Sequence, residues 1–312
     1  MSTARRIDTH HHVVPPAFAE WLTAKGLDAG GREIPAWDPE AALFLMDRHD
    51  VATAILSVSM PGVHLGDDAE ARSMAREVND YAAQIVRDHP GRFGFFATLP
   101  LPDVDGALAE LDRAFDTLGA DGVILLANHR STYLGDPLFD PIFDELQRRG
   151  SVAFVHPTTL PGLAPLDGIP AYMADFLLDT TRAAINLARS GTLERCPDVK
   201  VILSHAGGFI PYGAFRFAVA AGGDDLFKGL ERLGRYYFDT ALSTTPSALP
   251  SLLAFTTPDK VTYGSDWPYA PDFAVAGMAA LYEAYDLDST ARHQIDRGTA
   301  ETLLPRFAKE NT

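Results

Sequence analysis

The chain has 312 residues, 46% of them hydrophobic, with 26 Lys and Arg against 42 Asp and Glu. Its formal net charge of −16 at pH 7 argues against nucleic acid and anionic membranes as partners, because both are negatively charged. A single cysteine, Cys196, excludes a disulfide framework and is expected to be a buried thiol. No apolar run approaches the ~20 residues of a membrane span, and no apolar signal core follows Met1, so a cytoplasmic protein is expected.

Strand-like and helix-like segments alternate along the chain. The predicted strands are Ile7–His12, Thr53–Ser59, Phe93–Leu99, Gly122–Leu126, Val152–His156, Val201–His205, Tyr236–Asp239 and Val261–Ser265. Helices are predicted at 67–88, 103–118, 140–149, 274–285 and 288–307. This alternation predicts the α/β class and one parallel, eight-stranded (β/α)8 barrel, a single domain over residues 1–312.

Two stretches are too long for a minimal barrel. Residues 26–39 and 157–170 are rich in glycine and proline, and each is predicted to be a loop. The second directly follows a predicted strand. Because the loops after the strands build the active face of such barrels, we expect both insertions to lie over the C-terminal mouth.

Imidazoles and a carboxylate close four of the predicted strands. In the first strand, His10 and His12 share one face because strand side chains alternate with period two, and His11 points the opposite way. His156 and Asp266 each follow another apolar run. Three imidazoles and a carboxylate can hold one metal ion with a position left open for reactants. The alternatives are a tag-like or chance cluster for His10 and His12, a packed core residue for His156 and a helix cap for Asp266.

His205 also ends a predicted strand, just before two glycines. Its imidazole is suited either to ligate the metal or to act as a base beside a metal-bound water, and spacing does not separate these roles. No lysine lies between Lys25 and Lys200, so the fourth strand offers no side chain that could be carbamylated to bridge two metals. One metal is therefore predicted.

The ordered set of motifs resembles the mononuclear branch of the amidohydrolase superfamily over nearly the whole chain. The resemblance is greatest to the amidohydrolase-related group, which includes aminocarboxymuconate semialdehyde, methylsalicylate and resorcylate decarboxylases. The motifs are His-x-His at 10–12, Phe-Val-His-Pro at 154–157, Ser-His-Ala-Gly-Gly with Pro-Tyr at 204–212, and Gly-Ser-Asp-Trp-Pro at 264–268.

This resemblance implies that His10, His12, His156 and Asp266 bind one divalent metal, Zn²⁺ or in some members Mn²⁺. It implies that His205 is a catalytic acid or base and not a ligand.

The resemblance also bears on substrate binding and assembly. Arg216 matches an arginine that grips a substrate carboxylate in a neighbouring subunit, which implies a homodimer; an ordinary surface ion pair is the alternative. Arg32 is a second candidate for the carboxylate, and Phe209, Trp267 and Tyr269 are candidate pocket walls.

The predicted activity is non-oxidative decarboxylation of a small aromatic or unsaturated carboxylic acid. The metal would orient the carboxylate, and His205 or Asp266 would manage the proton that replaces it. The alternative is metal-dependent hydrolysis of a lactone, an amide or a carbon–carbon bond, and a hydratase is a third possibility. A barrel that binds without catalysis is disfavoured because every expected ligand position is filled.

Overall fold

A computed structural model of the chain describes residues 6–308. The strands in chain order are β1 (Arg6–His12), β2 (Val51–Ser57), β3 (Phe93–Thr98), β4 (Gly122–Leu126), β5 (Asn128–His129), β6 (Thr132–Tyr133), β7 (Val152–His156), β8 (Lys200–Leu203), β9 (Tyr237–Asp239) and β10 (Val261–Thr262). Eight of them form one parallel sheet in the order β1-β2-β3-β4-β7-β8-β9-β10, and β5 and β6 form a separate antiparallel hairpin.

The sheet curls so that its first and last strands meet. The backbone N–H of Thr9 donates to the Tyr263 carbonyl at 3.0 Å, and that of His12 donates to the Trp267 carbonyl at 2.7 Å. The predicted (β/α)8 barrel is therefore confirmed.

Helices separate the strands along the chain and cover the outside of the barrel. They are α1 (Pro16–Ala24), α2 (Pro39–Arg48), α3 (Asp68–Asp88), α4 (Val104–Arg113), α5 (Asp140–Arg149), α6 (Ala171–Ala174), α7 (Phe176–Ser190), α8 (Thr192–Arg195), α9 (Ile210–Gly222), α10 (Leu226–Leu233), α11 (Ala248–Phe255), α12 (Asp272–Ala284), α13 (Ser289–His293) and α14 (Thr299–Leu303).

The predicted element boundaries hold best where a local signal fixes them. Strands β4 and β7 and helix α5 match their predicted ranges, and α5 ends at Gly150, which has the left-handed conformation typical of a helix C-cap. Helix α3 begins after Asp67, whose side chain accepts a hydrogen bond from the N–H of Glu70. Strands β8 and β10 are shorter than predicted, and the backbone takes left-handed conformations at His205 and Asp266.

Alternation along the strands creates two apolar layers. One fills the barrel and includes Ile55, Phe96, Ile124 and Phe154, and the other packs the strands against the helices. The barrel layer sits below the carboxyl ends of the strands, so the polar side chains that follow each strand are left at the mouth.

Both predicted loop insertions are present. Residues 25–38 and 157–170 contain no helix or strand. The thiol of Cys196 is buried, as predicted. None of the helices described here is long and apolar enough to cross a membrane. The cytoplasmic location stays a prediction.

Candidate active site

Four side chains from distant parts of the sequence converge at the mouth of the barrel. His10, His12, His156 and Asp266 each offer one ligand atom, and these atoms lie within 4.8 Å of one another. All four residues are buried. They were the predicted metal ligands, and we call them the ligand cluster.

The spacing inside the ligand cluster suits a small cation. The Nε2 atoms of His10 and His12 are 3.1 Å apart, and they lie 3.2 and 3.1 Å from the same Asp266 carboxylate oxygen. Ligands at ~2.0–2.1 Å around a tetrahedral ion are separated by about 3.3 Å. The nitrogen and oxygen donors therefore fit a divalent metal.

The remaining ring nitrogen of each imidazole in the ligand cluster is also engaged. The Nδ1 atom of His12 lies 3.2 Å from the Ser57 carbonyl oxygen, and that of His156 lies 2.8 Å from the Pro157 carbonyl oxygen. A proton on Nδ1 satisfies these carbonyls and leaves Nε2 as the lone-pair donor. Backbone acceptors thus fix the tautomer that a metal needs.

Asp239 fixes the tautomer of His10 in the same way, by accepting from its Nδ1. The sequence analysis did not predict this role. The Oδ2 atom of Asp239 lies 2.6 Å from Nδ1 of His10, while its Oδ1 accepts from the backbone N–H of His205 at 2.9 Å. Asp239 ends strand β9, and the rule that drew attention to Asp266, a carboxylate closing a strand, would have found it.

Local charges set the protonation of the ligand cluster. Burial lowers the pKa of His10, but the carboxylates of Asp239 and Asp266 outweigh that effect and raise it to about 10. Burial holds the pKa of His12 below its usual value and that of His156 well below it. Burial alone would raise the pKa of Asp266, but the charge and hydrogen bonds of the neighbouring histidines keep it well below its usual range. His12 and His156 are thus neutral and Asp266 is ionised, the forms that bind metals, whereas His10 carries a second proton that a bound metal would displace.

His205 stands beside the ligand cluster and outside the group of four. Its Nε2 lies 3.4 Å from Oδ2 of Asp266, and its Nδ1 has no hydrogen-bond partner within residues 6–308. The backbone at His205, Ala206 and Asp266 has φ of 52°, 54° and 61°, a region that residues other than glycine seldom occupy. Such conformations concentrate at functional sites, where the surrounding structure holds them in place.

A cavity of about 660 Å³ opens onto the ligand cluster, and we call it the main pocket. His156, His205 and Asp266 form part of its lining. Within the described lining, Arg32 is the only lysine or arginine. The apolar part of the lining includes Met60, Tyr172, Met173, Phe176, Leu177, Leu242 and Phe273.

Tyr269 also lines the main pocket. Its ring lies 5.2 Å from that of His12, and its buried hydroxyl has no partner among the described residues. Burial raises the pKa of Tyr269, and the charge of Asp266 acts in the same direction, so the phenol keeps its proton. It is available as a hydrogen-bond donor within the pocket.

The remaining predicted substrate-binding residues lie outside the main pocket in this single chain. Trp267 is buried against the His11 ring, and its indole N–H donates to Asp272. Phe209 is 40% exposed, and Arg216 is exposed on helix α9. The structure therefore brings Arg32 and Tyr269 to the pocket and leaves these three residues elsewhere.

The buried group of three histidines and one aspartate at the mouth places this protein among the (β/α)8 barrels with a candidate metal site at that end. Comparison with known proteins identifies the family within that class. The amidohydrolase family model matches residues 7–306, so the chain belongs to the amidohydrolase family.

Two fungal proteins are similar to this chain along almost their whole length. The 6-methylsalicylic acid decarboxylase of Penicillium expansum is 39% identical over 318 residues, covering 97% of each chain. The decarboxylase macB of Penicillium terrestre is 38% identical over 326 residues, covering 98% of this chain and 96% of its own. A crystal structure of an amidohydrolase II superposes with a TM-score of 0.91 at 30% identity, covering 96% of this chain and 99% of that one.

Proposed function

We propose that this protein is a metal-dependent, non-oxidative decarboxylase of an aromatic carboxylic acid. The observation that carries the proposal is the ligand cluster, whose ligand atoms lie within 4.8 Å of one another beside His205 and the main pocket. The similarity to fungal decarboxylases, one of them acting on 6-methylsalicylic acid, supports the same reaction.

The proposed substrate class is a hydroxybenzoate with a small alkyl group. Arg32 is the cation in the lining of the main pocket and would attract the carboxylate, while Tyr269 offers a hydroxyl donor. Phe176, Leu177 and Leu242 give apolar surface for the ring and its substituent.

His10, His12, His156 and Asp266 would hold the metal, for which we propose Zn²⁺, with Mn²⁺ as the alternative. Nitrogen and carboxylate donors accept either ion. When bound, the ion supplies a fixed positive charge that orients the substrate oxygens and stabilises negative charge developing on them.

We assign the proton step to His205, with Asp266 as the alternative. A proton passes from the Nε2 side of His205 to the ring carbon that bears the carboxylate. The carbon–carbon bond then breaks, its electrons restore the aromatic ring, and carbon dioxide leaves. The balance is one carboxylate plus one proton giving one arene plus one carbon dioxide, and solvent reprotonates the imidazole.

Replacing His205 tests the assignment. His205→Asn is expected to lower kcat by roughly 10²–10⁴-fold while the metal content is unchanged, because the residue lies outside the ligand cluster. His293→Asn, at an exposed position on α13, is the matched control and should retain full activity. The assay incubates metal-loaded protein with 6-methylsalicylate in D2O.

Product analysis separates the rival chemistry. Decarboxylation gives carbon dioxide and one deuteron at the former carboxyl position, whereas a hydrolase gives a product that has gained the elements of water. A water-added product, or full activity in the His205→Asn variant, contradicts the assignment.

We also propose a homodimer. Tyr212 and Phe215 lie on α9, the helix that carries Arg216, and Phe227 lies on the neighbouring helix α10; the three side chains are 90%, 71% and 81% exposed. Exposed aromatic side chains of this density are typical of association surfaces. Sedimentation velocity should give twice the chain mass of 33.8 kDa, and Phe215→Ser with Phe227→Ser should shift it toward the monomer. A monomer at every concentration would refute the proposal.

A further inference from the structure

A second cavity, of about 310 Å³, opens at the barrel mouth above strands β2, β3, β4 and β7, and we call it the side cavity. Neither the ligand cluster nor His205 contributes to its described lining. Met60 is the one lining residue that it shares with the main pocket, and Met60 packs with Leu126 and Phe176 between the two spaces. The side cavity is therefore a separate chamber.

Three residues that line the side cavity each carry a buried polar atom with no partner among the described residues. These atoms are Oγ1 of Thr98, Nδ1 of His64 and Nε2 of His129. Buried polar groups in folded proteins are almost always hydrogen-bonded, so three such atoms on residues that line one chamber point to a polar occupant.

The two imidazoles present hydrogen-bond acceptors. Nε2 of His64 lies 2.8 Å from a carboxylate oxygen of Asp68 and therefore carries the proton, which leaves Nδ1 with a lone pair. Burial lowers the pKa of His129 to about 3, and its imidazole donates to the Leu101 carbonyl. Its free Nε2 is then also an acceptor, and the occupant must bring hydrogen-bond donors.

Arg130 supplies the one full charge in the described lining. It and Ser131 form the two-residue turn of the β5–β6 hairpin, with φ of 49° and 73°. Asn128 holds the turn by accepting from the Ser131 N–H at 3.2 Å. Within residues 6–308, Arg130 makes no ion pair and no Asp or Glu lines the side cavity, although the whole chain has a net charge of −16.

We propose that the side cavity binds a single-ring hydroxylated carboxylate, a phenolic acid. The carboxylate would pair with Arg130, and the hydroxyl would donate to the free nitrogen of His129 or His64, with Thr98 nearby. Leu99, Leu101 and Leu160 give apolar walls for the ring. A dry cavity of ~150 Å³ holds benzene, so the side cavity has room for a ring with polar substituents. This site does not depend on the reaction at the metal.

Fluorine NMR with 3-fluoro-5-hydroxybenzoate tests the proposal on the metal-loaded protein. We expect a bound resonance that Arg130→Gln removes, because losing a charged partner weakens binding roughly 10–100-fold. Arg189→Gln, an exposed arginine at the end of α7, is the control and should leave that resonance intact. A second resonance, from the main pocket, should survive both changes.

Thr98→Val adds a second test, which distinguishes a ligand-binding role of the Thr98 hydroxyl from a purely structural one. The hydroxyl of Thr98 has no partner to lose among the described residues, so the unfolding temperature of the ligand-free variant should not fall, whereas the side-cavity resonance should weaken. The absence of any resonance that responds to Arg130→Gln, as expected if only water fills the chamber, would overturn the proposal. So would equal effects of the Arg130 and Arg189 substitutions.

Discussion

At the scale of single residues, the site depends on how each imidazole is held. Three histidines present Nε2 to one centre because three different acceptors occupy their other nitrogens. Two of those acceptors are main-chain carbonyls, and the third is the carboxylate of Asp239. The ligand cluster is thus prepared by the fold and not by its four members alone.

Asp239→Asn tests this preparation. The amide would keep the size of the side chain but lose the charge that favours a proton on Nδ1 of His10. Metal affinity should fall about 10–100-fold, measured by competition with a chelator of known affinity. Asp259→Asn, at an exposed position before β10, should bind metal like the parent protein. Unchanged affinity in Asp239→Asn would show that the carboxylate does not orient His10.

The positions of single side chains were predictable from sequence where the alternation of strand residues alone determines them. Period-two alternation correctly placed His10 and His12 together, since their Nε2 atoms are 3.1 Å apart. The alternation rule could not predict whether Trp267 and Phe209 face the pocket, because the direction of such a side chain depends on the turn that follows the strand. Asp266, with φ of 61°, begins such a turn.

At the scale of elements, side chains on the helices complete the strand ends. Asn79 of α3 donates to the carbonyl of Thr98 at 2.9 Å and accepts from its N–H at 2.8 Å, so it continues the ladder where β3 stops. It also donates to Glu110 on α4 at 2.7 Å. One buried amide thereby joins a strand to two helices.

Asn79→Leu should be costly for that reason. It leaves the backbone N–H and C=O of Thr98 without their side-chain partner, whereas Glu110 keeps its bonds to Arg113. Each buried unsatisfied group costs about 1–3 kcal/mol. We expect the free energy of unfolding to fall by about 2–4 kcal/mol in urea titrations. Gln84→Leu, at an exposed position on the same helix, should change it by less than about 0.5 kcal/mol. Similar stabilities of the two variants would refute the role given to Asn79.

Two helix boundaries were predictable from a capping signal, whereas α2 and α10, capped by Asp38 and Asp225, were not predicted. The prediction for α3 started at its N-cap, Asp67, and that for α5 stopped before Gly150, whose φ is 59°. The ends of β8 and β10 were predicted too late, because the sequence does not reveal the left-handed conformations of His205 and Asp266. The single helix predicted over 103–118 is α4, which follows its N-cap Asp103, and then a π-helical turn over Ala114–Leu118, for which we recognise no sequence signal.

At the scale of the whole molecule, the alternation of strands and helices predicted the barrel, and the barrel explains the site. Residues as far apart as His10 and Asp266 meet because the first and last strands are neighbours in a closed sheet. The side cavity was not predictable, since its wall combines Thr98, His64 and His129 from three different loops and strand ends.

Metal should act on the stability of the whole fold. An ion that binds only the folded chain stabilises it by ~2.7 kcal/mol at a concentration 100 times its Kd. Differential scanning calorimetry should therefore show a higher Tm with Zn²⁺ or Mn²⁺ than with a chelator. His12→Gln removes one ligand and should show little of that difference. An equal metal-dependent shift in this variant would place the ion elsewhere.

The most direct test of the account is a metal titration followed by carbon dioxide release. Metal-depleted protein is mixed with increasing Zn²⁺ or Mn²⁺, and release of labelled carbon dioxide from carboxyl-labelled 6-methylsalicylate is measured. The rate should start near zero, rise in proportion to added metal and stop rising at one ion per chain. A rate independent of metal, a break at two ions per chain, or a fully loaded protein that releases no carbon dioxide would contradict it.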